Sequence, residues 1–171
     1  MNRHHRRARR RPEIIPVWTY SQVHAALPYL NSIMKSLREH RLDGQIHELA
    51  AQRLANSQRR ADRALLIDHQ EAVRASYQAR IRFEEALEEI QDMGIYCLDP
   101  IAGVALVPFA HDQQLAFFVY ELFDPDKLRF WRYHNDPADT RRPLVEAQKL
   151  SPAPPPAPSN FKMEIWYGDM K

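Results

Sequence analysis

The residues of this chain best equipped for chemistry are mostly cations. Arg132, His134, Arg141 and Arg142 fall within one short stretch, with Trp131 and Tyr133 interleaved. A guanidinium is a planar fork that bonds an anion through two donors and stacks on aromatic faces, so this group suits a phosphate, a carboxylate or a nucleobase. The competing use is structural: Arg141 and Arg142 can pair with helix carboxylates and lock their segment down. A second basic group is denser. Residues 1–11 read MNRHHRRARRR and hold Arg3, Arg6, Arg7, Arg9, Arg10 and Arg11 without one acid. Six arginines on duplex DNA would release counterions and give a slope of log K against log salt of about −5. An acidic protein surface or anionic lipid would meet the same charge, and a solubilising tail would need no partner.

The net charge of +2 hides a division between this arm and the rest. Removing the six arginines leaves 18 basic against 22 acidic side chains, so the body is negative and the basic character belongs to the arm. An acidic body offers no continuous basic groove. Nucleic-acid binding would therefore be driven by the arm, with weak sequence preference.

Other candidate chemistry is thinner. Glu84-Glu85 and Glu88-Glu89 set carboxylates at i, i+3 and i, i+4 on one helix, but a di-metal carboxylate bundle also needs a His three residues after a Glu. No His stands three positions after a Glu or Asp, so these read as a solvated face opposing Arg80 and Arg82. His111-Asp112 and His134-Asn135-Asp136 fall in loops at strand ends. A Zn²⁺ site would need the two loops to meet, and register decides whether they lie at like or opposite ends. Ordinary polar loops are the expectation, and no metal or cofactor is assigned. Cys97, in a short apolar run without a neighbouring base, reads as a structural thiol.

One cysteine excludes an intramolecular disulfide framework and a multi-cysteine metal site. Four scattered glycines form no phosphate-binding loop. Neither G-x-S-x-G nor H-E-x-x-H occurs, so no catalytic residue is assigned and the reading leans away from an enzyme. No apolar run approaches the ~18–20 residues of a membrane span, and no apolar segment of an export signal follows the arginines. The expectation is a soluble, cytoplasmic protein.

The elements that must position these residues are legible from periodicity. Thr19 and Gln22 form a capping box, flanked by Trp18 and Val23 as a hydrophobic staple. Apolar residues recur at Val23, Leu27, Leu30, Ile33, Met34 and Leu37, and continue to Leu42, Ile46, Leu49 and Leu54. That spacing predicts one helix over about 20–56, with Pro28 bending it and a break at Gly44 as the alternative. A turn near Asn56–Asp62 leads to a second stripe at Leu65, Leu66, Val73, Tyr77, Ile81, Leu87 and Ile90. The second helix, about 60–93, ends at Gly94, a favoured C-cap residue.

The period then drops to two. Short strands are expected within about 95–133: Ile95–Leu98, Val104–Phe109, Leu115–Phe123 and Leu128–Tyr133. LAFFVYELF is apolar on both faces, as a central strand would be. Pro108 implies an edge or a bulge at its position. Residues 151–160 (SPAPPPAPSN) read as a Pro-rich linker, and the aromatic tail 161–171 as a strand added to its own domain or as a partner-binding motif.

In order and spacing these pieces resemble the bacterial family known as domain of unknown function 2203. The resemblance is carried by Trp18-Thr19, Leu27-Pro28-Tyr29-Leu30, Gly94-Ile95 with Asp99, Gly103-Val104-Ala105-Leu106-Val107, Phe130-Trp131, and Arg141-Arg142-Pro143-Leu144. It covers roughly residues 18–144 and implies an architecture but no known activity. This chain departs from the pattern in three places. The usual His after the Trp is Arg132, the usual Cys-Trp of the central strand is Val119-Tyr120, and the acidic pair after the opening Thr is Ser21-Gln22. A ligand role built on that His is therefore not carried over.

The expected fold is α+β: a long antiparallel helical hairpin packed on a small antiparallel β-meander. It comprises an Arg-rich, disordered arm (1–16), one domain (17–150), a linker and a tail. The expected function is a non-catalytic interaction protein whose arm contacts nucleic acid or a nucleoprotein. A small-anion or nucleotide-binding domain, with room for an enzymatic use, at Arg132, His134, Arg141 and Arg142 is the alternative. Helices longer than the sheet leave apolar surface uncovered, which points to a homodimer through the hairpin. The C-terminal tail is expected to meet a protein partner.

Overall fold

A computed structural model of the chain describes residues 15–57 and 63–144. Two helices, α1 (Tyr20–Ala55) and α2 (Arg63–Asp92), precede five strands: β1 (Tyr96–Asp99), β2 (Val104–His111), β3 (Gln114–Glu121), β4 (Phe130–Tyr133) and β5 (Arg142–Pro143). The strands pair antiparallel in chain order as one sheet. This is the expected helical hairpin and meander. All of the arm but Ile15 and Pro16, the middle of the hairpin turn, the Pro-rich linker and the aromatic tail lie outside the described residues.

Helix α1 begins as its sequence requires. Thr19 accepts from the Gln22 amide at 3.3 Å, and the Gln22 side chain accepts from the Thr19 amide at 2.8 Å. The helix then runs through Pro28 and Gly44 for 36 residues, about 54 Å at ~1.5 Å per residue. Thus the break at Gly44 does not occur. Helix α2 closes with a Schellman turn: the Gly94 amide donates to the Gln91 carbonyl and the Ile95 amide to the Ile90 carbonyl. Gly94 adopts φ +72°, and a Cβ there would lie 2.2 Å from Pro16. That glycine both turns the chain and admits the segment that leads into α1.

The core occupies only the half of the hairpin nearest the sheet. Val23, Leu30, Ile33, Met34, Leu37, Ala86 and Ile90 bury against Ala105, Val107, Phe118, Tyr120 and Trp131. Tyr120 is fully buried on the helix side, and its hydroxyl donates to Asn31 Oδ1 at 3.4 Å. Burial pushes that phenol up to about 12. The Arg38 guanidinium ties α1 to the β1–β2 turn through the Ile101 carbonyl at 3.1 Å, and its charge lies over Phe123.

Beyond the sheet the expected stripes turn inward only in part: Leu42, Leu54 and Leu65 are half-buried. Ile46, Leu49, Leu66, Val73 and Tyr77 are each about half exposed. The buried positions there are Ala51, Ala72 and Ala79, with Gly44 facing Ala79. A heptad explains the shift. Leu30, Leu37, Gly44 and Ala51 recur every seven residues, as do Ala72, Ala79 and Ala86. Facing the sheet, the hairpin needs large side chains to fill the layer. Where helix meets only helix, small residues let the backbones approach, and Ser76 Oγ reaches the Gly44 carbonyl.

The sheet follows its sequence closely. Asp112 and Gln113 both take positive φ and make a two-residue hairpin, so the paired strands run on to His111 and Gln114, past the expected Phe109 and Leu115. Pro108 lies in β2 past the last residue paired with β1, so its missing N–H faces a locally free edge. Its carbonyl accepts from the Trp18 amide at 2.8 Å. Strand β3 lies between β2 and β4 and is apolar on both faces; Leu106, Phe117 and Val119 form a second buried cluster on the face away from the helices. Strand β5 was not expected. A two-residue pairing of Phe130 with Pro143 and Trp131 with Arg142 carries no periodicity.

Candidate functional site

Alternation along β4 divides the late cationic group between two faces of the sheet. Trp131 and Tyr133 face the helices with the main core, while Phe130 packs with the opposite cluster. Arg132 shares the face of Phe130 and is itself 8% exposed. Its Nη1 donates to the carbonyls of Asp136 and Pro137 at 3.1 and 3.2 Å, and its Nε is buried without a partner among the described residues. Burial, then the charge of Arg141, lowers its pKa, and Asp136 opposes them.

Arg142 lies on the other face. Its guanidinium sits 5.5 Å from the Trp131 ring centroid and 5.3 Å from that of Tyr133. It forks onto Asp136, with Nη2 at 3.0 Å from Oδ1 and Nε at 3.1 Å from Oδ2. The Tyr133 amide donates to the same carboxylate at 2.9 Å. These bonds, that of Arg142 first, hold Asp136 below the usual carboxylate range. Arg141 pairs with Glu121 at 3.2 Å and donates to the Ala138 and Thr140 carbonyls. His134 is exposed; its amide donates to the Leu115 carbonyl, and its ring lies 5.9 Å from Phe117.

Thus the structure brings Arg132, Arg141 and Arg142 around one loop, residues 134–141, and gives each a partner within the chain. The carboxylates of Arg141 and Arg142 are Glu121 and Asp136, not the helix glutamates that the sequence suggests. Chemically the arrangement is a latch. Arg142 and Asp136 clamp the start of the loop to β5, Arg132 binds its carbonyls, and Arg141 ties its end to β3. The six arginines of the arm lie outside the described residues.

The two histidine loops lie at the same end of the sheet, since His111 ends β2 and His134 follows β4 beside Leu115. His111 is buried in an aromatic stack, 5.6 Å from Tyr133 and 4.9 Å from Trp131, with Asp112 3.5 Å from its Nε2. Among the described residues no group of three His, Cys, Asp or Glu side chains is placed to hold a metal ion. Cys97 is half-buried, and burial, then the charge of Asp99, pushes its thiol up to about 11, which keeps it protonated at neutral pH.

A groove on the solvent side of the hairpin escaped the sequence reading. It holds about 290 Å³. Tyr29, Ser32, Ser36 and His40 form one wall and Arg82, Glu85 and Glu89 the other, over a floor of Ile33 and Ala86. The Tyr29 hydroxyl donates to Glu89, which raises the phenol's pKa. The signal was present: both polar rows repeat at helical spacing. It was masked because each row also reads as an ordinary solvated face.

A long two-helix hairpin with a five-stranded meander on one half, latched by arginines at its last strand, defines the class of protein. The family model described as "Uncharacterized conserved protein (DUF2203)" matches residues 16–144, and the chain belongs to that family. No curated protein and no solved structure matches the chain. The residues that carry the resemblance have structural tasks here. Trp18 donates from its indole to the Met93 carbonyl at 3.2 Å. Asp99 accepts from the Ile101 and Ala102 amides. Gly103, at φ +70°, leaves room for Leu122, whose Cβ would lie 2.4 Å from a side chain there. No helix among the described residues is long and apolar enough to cross a membrane.

Proposed function

We propose that the protein is a non-catalytic interaction protein whose first eleven residues bind an anionic polymer, nucleic acid or a nucleoprotein. The observation that carries this reading is the segregation of charge: six arginines without an acid stand before a body with more acidic than basic side chains. The folded part supports it by using its own cations internally, in the latch around residues 134–141. The test compares duplex DNA and RNA binding by the intact chain and by a chain lacking residues 1–11, across a salt series. The intact chain binds with a log–log slope near −5 if all six arginines engage. Equal binding by both chains, or a flat salt response, overturns the reading.

The alternative is a small-anion or nucleotide site at Arg132, His134, Arg141 and Arg142. One observation favours it: three guanidinium groups converge on one loop, and Arg132 Nε has no partner among the described residues. Thermal-shift screening with nucleotides and phosphorylated metabolites tests it, and stabilisation by none of them dismisses it. The exposed apolar residues of the far hairpin suit a second copy of the chain. Sedimentation equilibrium at tens of micromolar that shows a monomer removes that part.

A further inference from the structure

The hairpin groove and the arm have opposite charge, and the described chain begins at the groove's end of the hairpin. Over residues 84–92 helix α2 carries five acids, Glu84, Glu85, Glu88, Glu89 and Asp92, and no base. Of these, Glu84 is paired with Arg80 at 3.7 Å, and Glu85 and Glu89 form a groove wall. The described chain starts at the same end: Pro16 packs on Gly94, and the Trp18 indole bonds the Met93 carbonyl. From Gly94 back to Glu89 is about 7.5 Å along the helix, and to Arg82 about 18 Å, at ~1.5 Å per residue. Arg11 to Arg3 precede Ile15 by four to twelve residues, a reach of roughly 13–40 Å. Every arginine of the arm can therefore reach the Glu89 end of the groove, and Arg9, Arg7, Arg6 and Arg3 can span it.

The groove also has the right chemistry for arginine. The half-exposed Tyr29 ring in its wall offers apolar surface for the methylene stems, above the buried floor of Ile33 and Ala86. Its carboxylates accept guanidinium forks. Arg82 is the one arginine in the wall and leaves the acidic wall net negative. We propose that the Arg-rich segment 1–11 docks intramolecularly in this groove, against Glu85 and Glu89, and that nucleic acid must displace it. The arm is then its own competitor, and its affinity for an anionic polymer is set by the glutamates of α2. This consequence for nucleic-acid binding rests on the reading above; the docking itself does not.

The test uses the full chain with a nitroxide on Ala8→Cys. The protonated, half-buried Cys97 leaves the introduced thiol as the reactive one, and Cys97→Ser controls for it. At low salt the amides of residues 29–40 and 82–92 broaden in NMR spectra, and ~0.5 M salt or Glu85→Gln/Glu89→Gln abolishes the effect. The same double variant, both of whose sites are exposed, keeps its folded spectrum and binds duplex DNA roughly two- to tenfold more tightly, as two released surface pairs allow. Absence of broadening at low salt, or broadening that the glutamine variant keeps, overturns the docking. Broadening seen only when labelled and isotope-enriched chains are mixed places the contact between copies and also overturns it. Broadening in a chain that binds no nucleic acid upholds the docking and removes the functional reading instead. DNA binding without broadening does the reverse.

Discussion

Near the sheet the hairpin packs Leu30, Met34, Leu37 and Ile90 into a core with no measurable exposure; beyond it the same two helices meet through Gly44, Ala51, Ala72 and Ala79. The first half is held by area, since each fully buried large side chain contributes roughly 1.5–3 kcal/mol. The second is held by close approach of backbones and by side chains only half-buried, such as Leu42, Leu54 and Leu65. Its large apolar side chains, Ile46, Leu49, Leu66, Val73 and Tyr77, remain half in water. One continuous secondary structure can thus contain a rigid support and a weakly packed extension. Helical regularity says nothing about which is which.

The difference can be broken most sharply in the support. Leu37→Ala is expected to lower unfolding free energy by about 2–5 kcal/mol in chemical denaturation, the cost of a cavity in a closed core. Ile46→Ala, in the extension, should change it by less than ~0.5 kcal/mol in the monomer. Equal losses at the two positions would mean that the far hairpin is packed against something in solution.

The latch at the end of the sheet gives the next effect. Asp136→Asn removes the fork from Arg142 and should lower the denaturation midpoint without changing the helical circular dichroism. The pH dependence has a definite sign. Asp136 has its pKa lowered in the folded state from an ordinary 3.8. Its contribution is therefore complete above that value and is lost as pH falls through the lowered folded pKa. The wild-type chain should show this acid loss and the Asn variant should not, which a denaturation series between neutral pH and pH 2 checks.

Thr19→Ala removes the cap of α1 and is expected to cost about 0.5–2 kcal/mol. The smallest effect has the opposite sign. A Cβ on Gly44 would meet Ala79 Cβ at 3.8 Å, an ordinary contact. Gly44→Ala should therefore stabilise the hairpin by up to ~1 kcal/mol through helix propensity. A loss there would show that the seam is tighter than this spacing allows.

The sequence made the framework legible where local chemistry decides it. The Thr19–Gln22 box, the Gly94 turn, the alternation of β3 and the edge at Pro108 all follow from residue type and spacing. It misplaced the inward face of the far hairpin because it weighed large apolar residues above alanines. Hydropathy rewards Ile46 and Tyr77, whereas backbone proximity rewards Gly44 and Ala79. The cationic group was visible as a group. Its division between two sheet faces was not, because the pairing of Arg142 with Trp131 depends on a two-residue strand. The groove needed both helices in register before Tyr29 could be seen to meet Glu89.

Native-state hydrogen exchange on the intact chain, at a dilution where sedimentation shows a monomer, tests the contrast between the halves most directly. Amides of α1 and α2 beside the sheet, residues 23–37 and 83–90, are expected to exchange only through global unfolding. Those of residues 44–54 and 66–79 should exchange faster, through a local opening of lower free energy. Uniform protection along both helices would contradict the account.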